Sequence, residues 1–192
     1  MNIPFDNSYA HLPERFFARV APAHRPAPQL VQLNEDLAAE LGLDAGWLSS
    51  ESGVRVLAGN QVPEGAASLA MVYAGHQFGG WVPRLGAGRA ILMGEVIDRD
   101  GHRRDIQWKG AGRTPYSRDG DGRAVLGPCL REYLVSEAMH ALGIPSTRAL
   151  AVLTTGDTVR RDGPKPGALI VRGGASHIPL GPVEDLANRG DP

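Results

Sequence analysis

The chain has 192 residues, with 20 Lys and Arg against 21 Asp and Glu, a formal charge of −1, 42% apolar residues and one cysteine. That balance suits a soluble globular domain, offers no global field for nucleic acid or an anionic membrane, and excludes an internal disulfide framework. No apolar run approaches the roughly 18 residues of a membrane span, and MNIPFDNSYAHLPERFF lacks the basic-then-apolar order of a secretory signal, so a reducing, cytoplasmic setting is expected.

Residues 1–68 read as an arm with short helices. The first 30 residues run into APAHRPAPQL, where Pro22, Pro26 and Pro28 forbid a helix and favour an extended strap that wraps another surface. NEDLAAELGL then reads as a short helix. Asn34 is its cap, Glu35 and Asp36 suit the positive end, Leu37 and Leu41 lie four apart, and Gly42 stops it. A second short helix starts at Asp44 and carries Trp47 and Leu48, and residues 58–68 form a loop.

Residues 69–192 read as a second unit. Eleven glycines fall between Gly75 and Gly122, so the backbone there has to approach something closely. AILMGEVI (90–97) and RRDIQWKG (103–110) read as a hairpin turning at Asp100-Gly101 and ending at Lys109. GAGRTPYSRDGDGRAV is too irregular for a regular element and reads as a ligand loop. LGPCLREYLVSEAMHALGIP is the strongest helix pattern. Leu130, Leu134, Ala138, Ala141 and Leu142 form its apolar stripe, with Gly143 and Pro145 as stop signals. STRALAVLTT, a Gly156-Asp157 turn, TVRRDG and GALIVR supply two more strands.

Residues 84–131 carry ten Lys and Arg against six Asp and Glu. A cationic, glycine-rich segment of this kind suits either a nucleotide triphosphate or a solvated turn-rich surface. The sequence has no GxxxxGK followed by Ser or Thr, and Gly86-Ala87-Gly88 does not complete GxGxxG, which removes the P-loop and Rossmann readings. What remains is a glycine turn between strands, a lysine ending a later strand, and a helix with an internal carboxylate. That is the logic of a protein-kinase N-lobe. Lys109 is then either a phosphate contact held by a helical glutamate or an ordinary strand-end lysine. The helical wheel chooses Glu137 as its partner, since Glu132 projects from nearly the opposite side. The six histidines show no zinc-ligand spacing, and Cys129 reads as structural. Tyr116 and Ser117 are turn residues or phosphate donors, and Trp81 and Trp108 are core residues or flank a base. A nucleic-acid surface on the Arg-rich 99–123 stretch is opposed by its acidic interruptions.

FDNSYAHLPERFFARV, YAGHQFGGWVPRLGAGRAILMGEV, DIQWKGAGRTPYSRDGDGRAVL and REYLVSEAMHALGIPSTRAL resemble the N-terminal part of the selenoprotein O family, nearly continuously from about residue 5 to 160. The resemblance implies an α+β, kinase-like N-lobe over residues 69–192. It implies a protein adenylyltransferase that binds ATP in a flipped orientation and moves AMP, with Mg²⁺, onto Ser, Thr or Tyr hydroxyls of protein substrates. By motif, Gly86, Gly88 and Arg89 would line the nucleotide and Lys109 would reach its phosphates. Asp121 and Gly122 would complete the loop, Arg172 would add a phosphate contact, and Glu132, not Glu137, would hold the lysine.

The departures from the pattern are specific. Ser176-His177-Ile178-Pro179 stands where the family has SHIR, so an arginine contact is replaced by proline. Ala87 replaces a common acidic residue, and Gly127-Pro128-Cys129 replaces a serine-rich helix start. The catalytic Asp and the Mg²⁺ ligands are expected beyond Pro192. The expectation is therefore a lobe that binds ATP without metal, transfers no AMP alone, and exposes an apolar face that seeks a partner. A catalytically dead nucleotide-binding module acting through a partner protein is the alternative.

Overall fold

The computed structural model describes residues 3–77, 79–82, 86–178 and 187. In chain order its strands are β1 (Phe17–Arg19), β2 (Gln29–Leu33), β3 (Leu69–Met71), β4 (Gly75–Gln77), β5 (Gly80–Val82), β6 (Ala90–Ile97), β7 (Arg103–Lys109), β8 (Ala124–Val125), β9 (Arg148–Arg160) and β10 (Pro164–Gly174). Its α-helices are α1 (Glu35–Glu40), α2 (Ala45–Ser49), α3 (Glu51–Leu57) and α4 (Leu126–Ala141). The main sheet runs β1-β3-β6-β7-β10-β9-β2, with β8 against β10, and β4 and β5 make a separate hairpin. Pairing is antiparallel throughout the described strands, so the class is α+β with a mainly antiparallel sheet.

Alternation along the central hairpin sorts its side chains between two faces. Ile106 and Trp108 point to one face. There they join Ile91, Met93, Leu153, Leu169 and Val171 beneath Leu37, Leu41, Leu48, Val56 and Leu57 of α1–α3 and their connections. Trp108 is wholly buried, and its indole N–H donates to the Val56 carbonyl at 3.1 Å, which makes it core. Asp105, Gln107 and Lys109 point to the other face, which α4 covers in part.

The helices over the core follow their caps. Asn34 accepts the Leu37 N–H at 3.0 Å and Asp44 accepts that of Trp47 at 3.0 Å, as the sequence predicts. Helix α3 was not expected, because Ser50, which accepts the Gly53 N–H at 3.2 Å, lies inside a stretch without a clear apolar period. The N-terminal strap wraps this same sheet. It supplies both outermost strands, β1 beside β3 and β2 beside β9, and so covers edges that would otherwise be open.

Two expectations need correction. The chain does not turn at Gly156-Asp157; β9 continues through Gly156 at φ +76° and reverses at Arg161–Gly163. Gly156 instead lets the strap pass, since a Cβ there would stand 2.8 Å from Ala27 Cβ. Of the apolar stripe read on α4 only Leu130 packs on the sheet, for Leu134 is 67% and Leu142 74% exposed. Its inner face is Cys129, Leu130, Tyr133 and Ser136, set over the small residues Ala124, Ala149 and Ala168. Small side chains bring the helix close enough for its carboxylates to reach strand cations, and Leu134 and Leu142 are left outside.

Candidate functional site

Three strand positions, one above another, build the polar face beside α4. In the β7–β10 register Lys109 stands opposite Ile170, Gln107 opposite Arg172, and Asp105 opposite Gly174. Helix α4 delivers Glu132 between the cations. Its Oε2 lies 2.6 Å from Lys109 Nζ and its Oε1 3.2 Å from Arg172 Nη1, and Arg172 also donates to the Gln107 side-chain oxygen. The helical wheel's choice, Glu137, is thereby corrected. It sits one and a half turns on and holds Arg148 at 2.7 Å. The wheel placed Glu137 on a buried arc with Leu130, Leu134 and Ala141, but of these only Leu130 packs on the sheet.

The electrostatics of this cluster are unbalanced. Burial lowers the Lys109 proton affinity and repulsion by Arg172 lowers it further, with Glu132 offsetting only part of this. Burial likewise lowers Arg172, against the support of Glu132, and Arg89 lowers it too. Burial pushes the Glu132 carboxyl up, but its bonds to Lys109 and Arg172 prevail and hold it below the usual range. One carboxylate thus serves two partly buried cations with a third, Arg89, within electrostatic reach.

The glycine-rich residues lie beside this cluster in a cavity of about 400 Å³. Gly86, Gly88, Arg89, Asp121 and Gly122 line it together with Tyr116, Arg123 and Arg161. Lys109, Glu132 and Arg172 are not in its wall, and Arg89 is the residue common to both groups. The structure also identifies what the glycines approach, which is the chain itself. A Cβ on Gly86, at φ +61°, would stand 2.1 Å from the Tyr116 ring, and one on Gly122, at φ +68°, 2.0 Å from the Gly112 carbonyl oxygen. Ser117 donates to the Gly88 carbonyl at 2.5 Å and Thr114 to that of Ala87 at 2.7 Å, so these hydroxyls serve the loop. Asp121 is held by the Arg161 fork at 2.9 and 3.0 Å, which keeps its carboxyl below the usual range.

Sequence reasoning missed Gln107, Asp105 and Arg25. The period-2 alternation of β7 places Asp105 and Gln107 with Lys109, and that signal was available. Nothing local marks Arg25. It is 1% exposed, donates to the Gly110 carbonyl at 2.5 Å and pairs with Asp157 at 3.3 Å, pinning the strap behind the residue that follows Lys109. Asp157 also takes Arg123 at 3.1 Å, which ties the loop to the same anchor. Cys129 is buried, and desolvation raises its thiol to about 11, which suits packing rather than nucleophilic attack. Pro179 lies outside the described residues. Among those described, no three or more His, Cys, Asp and Glu side chains gather as a metal-ligand group. Nor is any helix among them long and apolar enough to cross a membrane.

Comparison with known proteins places this geometry in context. Residues 1–192 match the family described as "Protein adenylyltransferase SelO". The chain is 64% identical over 191 residues to a protein nucleotidyltransferase YdiU of Rhodopseudomonas palustris strain BisB5, covering 100% of this chain and 39% of the relative. It is 64% identical over 188 residues to that of Methylorubrum populi (98% and 38%), and 61% identical over 181 residues to that of Alkalilimnicola ehrlichii (94% and 37%). The chain therefore spans about two fifths of the length of the curated relatives it matches.

Proposed function

The chain belongs to the SelO protein adenylyltransferase family, and from that membership we propose that residues 1–192 form the ATP-binding part of an enzyme that transfers AMP from ATP to Ser, Thr or Tyr hydroxyls of proteins. The observation that carries the proposal is Glu132 bridging Lys109 and Arg172 with Arg89 close by. A cluster with more cations than acceptors, partly withdrawn from water, is relieved by a polyphosphate. In this reading Lys109, Arg172 and Arg89 hold phosphate oxygens and Glu132 fixes the lysine. The cavity lined by Gly86, Gly88, Asp121 and Gly122 takes another part of the nucleotide.

This is how a kinase-like N-lobe uses its strand lysine and helical glutamate. Mg²⁺ in such transfers neutralises charge on the departing pyrophosphate. Its ligands and the catalytic base are assigned, by the family resemblance, to sequence beyond residue 192, so residues 1–192 bind ATP without transferring AMP. The exposed apolar side chains Leu134, Val135, Met139, Leu142 and Ile144 on and just after α4 then meet the remainder of a longer protein or a partner that replaces it. The cytoplasm is the proposed location, in keeping with a supply of ATP.

Calorimetric titration with ATP, with and without Mg²⁺, tests the reading. The expected result is binding that does not require the metal and weakens at least tenfold in Lys109→Ala, with no labelled AMP appearing on a protein acceptor. No binding, or equal binding by the variant, would overturn it.

A further inference from the structure

The polar face beside α4 has a third step that the proposed function does not use. Below Gln107 and Arg172, Asp105 on β7 accepts the His177 backbone N–H at 2.6 Å and faces His177 Nδ1 at 3.3 Å. The imidazole lies over Gly174, where a Cβ would stand 3.7 Å from its Cε1. Gly173, one residue earlier, faces Leu37 and Leu41 on the opposite side of the sheet, so Gly174 and the ring share the face of Arg172 and Lys109. The His177 side chain is 3% exposed.

With Nδ1–H directed at a carboxylate, the other ring nitrogen is left with a lone pair. Among the described residues His177 Nε2 is buried with no hydrogen-bond partner, and so is Arg172 Nε at the adjacent step. A buried polar atom without a partner is costly to keep, and two of them at successive steps of a cationic face point to a ligand that serves both.

We propose that His177 is a further polyphosphate contact, which takes up one proton from solvent as ATP binds and then donates Nε2–H to a phosphate oxygen while Asp105 retains Nδ1–H. This rests on the nucleotide reading of the Lys109 site. The surroundings of the ring act on it in opposite directions. Without ligand, burial lowers the His177 proton affinity, repulsion by Arg172 on β10 and Lys109 on β7 adds to this, and Asp105 opposes it. Glu132 of α4 is bound to both cations. Arg103 on β7 and Tyr9 of the N-terminal arm lie within electrostatic reach of Asp105. A polyphosphate beside Lys109 and Arg172 cancels that repulsion and gives the protonated ring an acceptor. The affinity of His177 for a proton therefore rises on binding, and by linkage ATP binds more tightly as pH falls through the window between the free and bound values.

Calorimetry of the 192-residue chain with ATP near neutral pH, in buffers of different ionisation enthalpy, measures the protons taken up. Wild type is expected to take up close to one proton more than His177→Gln. Its affinity should weaken by up to tenfold per pH unit as pH rises through the window, whereas that of His177→Gln stays nearer flat. NMR titration of the His177 Cε1–H in the unmutated chain gives the same answer without relying on the variant's fold, the expected result being a rise in its pKa with saturating ATP. Equal uptake by wild type and variant, or a ring titration that ATP leaves unmoved, would overturn the proposal; a buried water would then account for Nε2. If ATP binds in a Lys109-dependent way without this uptake, only the His177 role falls. If ATP does not bind at all, the nucleotide reading falls and takes this one with it.

Discussion

Helix α4 carries two inward carboxylates five residues apart, and their surroundings differ in kind. Glu137 accepts Arg148 Nη2 at 2.7 Å, the Asn34 side-chain amide at 2.7 Å and the Ala149 N–H at 3.1 Å, and Arg148 is shared with Glu40 at 3.3 Å. Its acceptor positions are filled and its charges are matched. Among the described residues Glu132 takes only Lys109 and Arg172, with Arg89 near and two further nitrogens, Arg172 Nε and His177 Nε2, left unsatisfied. The first cluster is complete as it stands and holds α4 to β9 and the start of α1. Among the described residues the second has more cations than acceptors, and under the proposed reading an anion would supply what is missing. Saturation of acceptors and the local charge count separate a structural carboxylate from a ligand-site carboxylate more sharply than helix periodicity can.

The sharpest way to break this comparison is to remove each carboxylate in turn. Glu137→Ala is expected to cost about 2–4 kcal/mol, because a nearly buried guanidinium, an amide and a backbone N–H lose their acceptor together. Glu132→Gln keeps the shape and one acceptor oxygen and is expected to cost about 1 kcal/mol. Urea unfolding of both variants measures the difference, and a larger loss for Glu132→Gln would invert the assignment.

Acid sharpens the contrast. Burial raises both carboxyls, but bonds from Lys109 and Arg172 to Glu132, and from Arg148, Ala149 and Asn34 to Glu137, bring both below the ordinary value of 4.5. A depressed carboxylate contributes stability in full above its unfolded value and loses it as pH falls through the folded one. Urea midpoints measured from about pH 6 down to about pH 3 should therefore fall in wild type and fall less steeply in Glu137→Gln and in Glu132→Gln. A variant as acid-sensitive as wild type would show its carboxylate to be energetically solvated.

The smallest effect is expected on the outer side of the same helix. Leu134→Lys and Leu142→Lys should shift stability by no more than about 0.5 kcal/mol, since both side chains are mostly in water, and should reduce self-association seen by light scattering. A large loss of stability would mean that the ridge is packed within this chain.

Much of the fold was legible where the chemistry is local. Asn34 and Asp44 start their helices, Asp100-Gly101 turns the central hairpin, and Gly143, at φ +73°, follows the end of α4 as read. Ser50 was missed because the helix it caps is short and its apolar residues are few. The site was legible only in part. Lys109 could be placed at a strand end, but the periodicity of α4 pointed to Glu137, and Glu132 came from the family resemblance alone. The glycines between Gly75 and Gly122 were correctly read as places of close approach, though Tyr116 and Gly112, rather than a ligand, fill the space beside Gly86 and Gly122.

By itself the sequence determined the kinds of element and most of their ends, because alternation, caps and turns act over a few residues. Tertiary structure alone decided which side of α4 faces the sheet and which cation each carboxylate meets. It also set Arg25 beneath Gly110 and His177 upon Gly174. Those contacts depend on strand register and on how closely a helix can approach over Ala124, Ala149 and Ala168, and their partners are far apart along the chain, where periodicity carries no information.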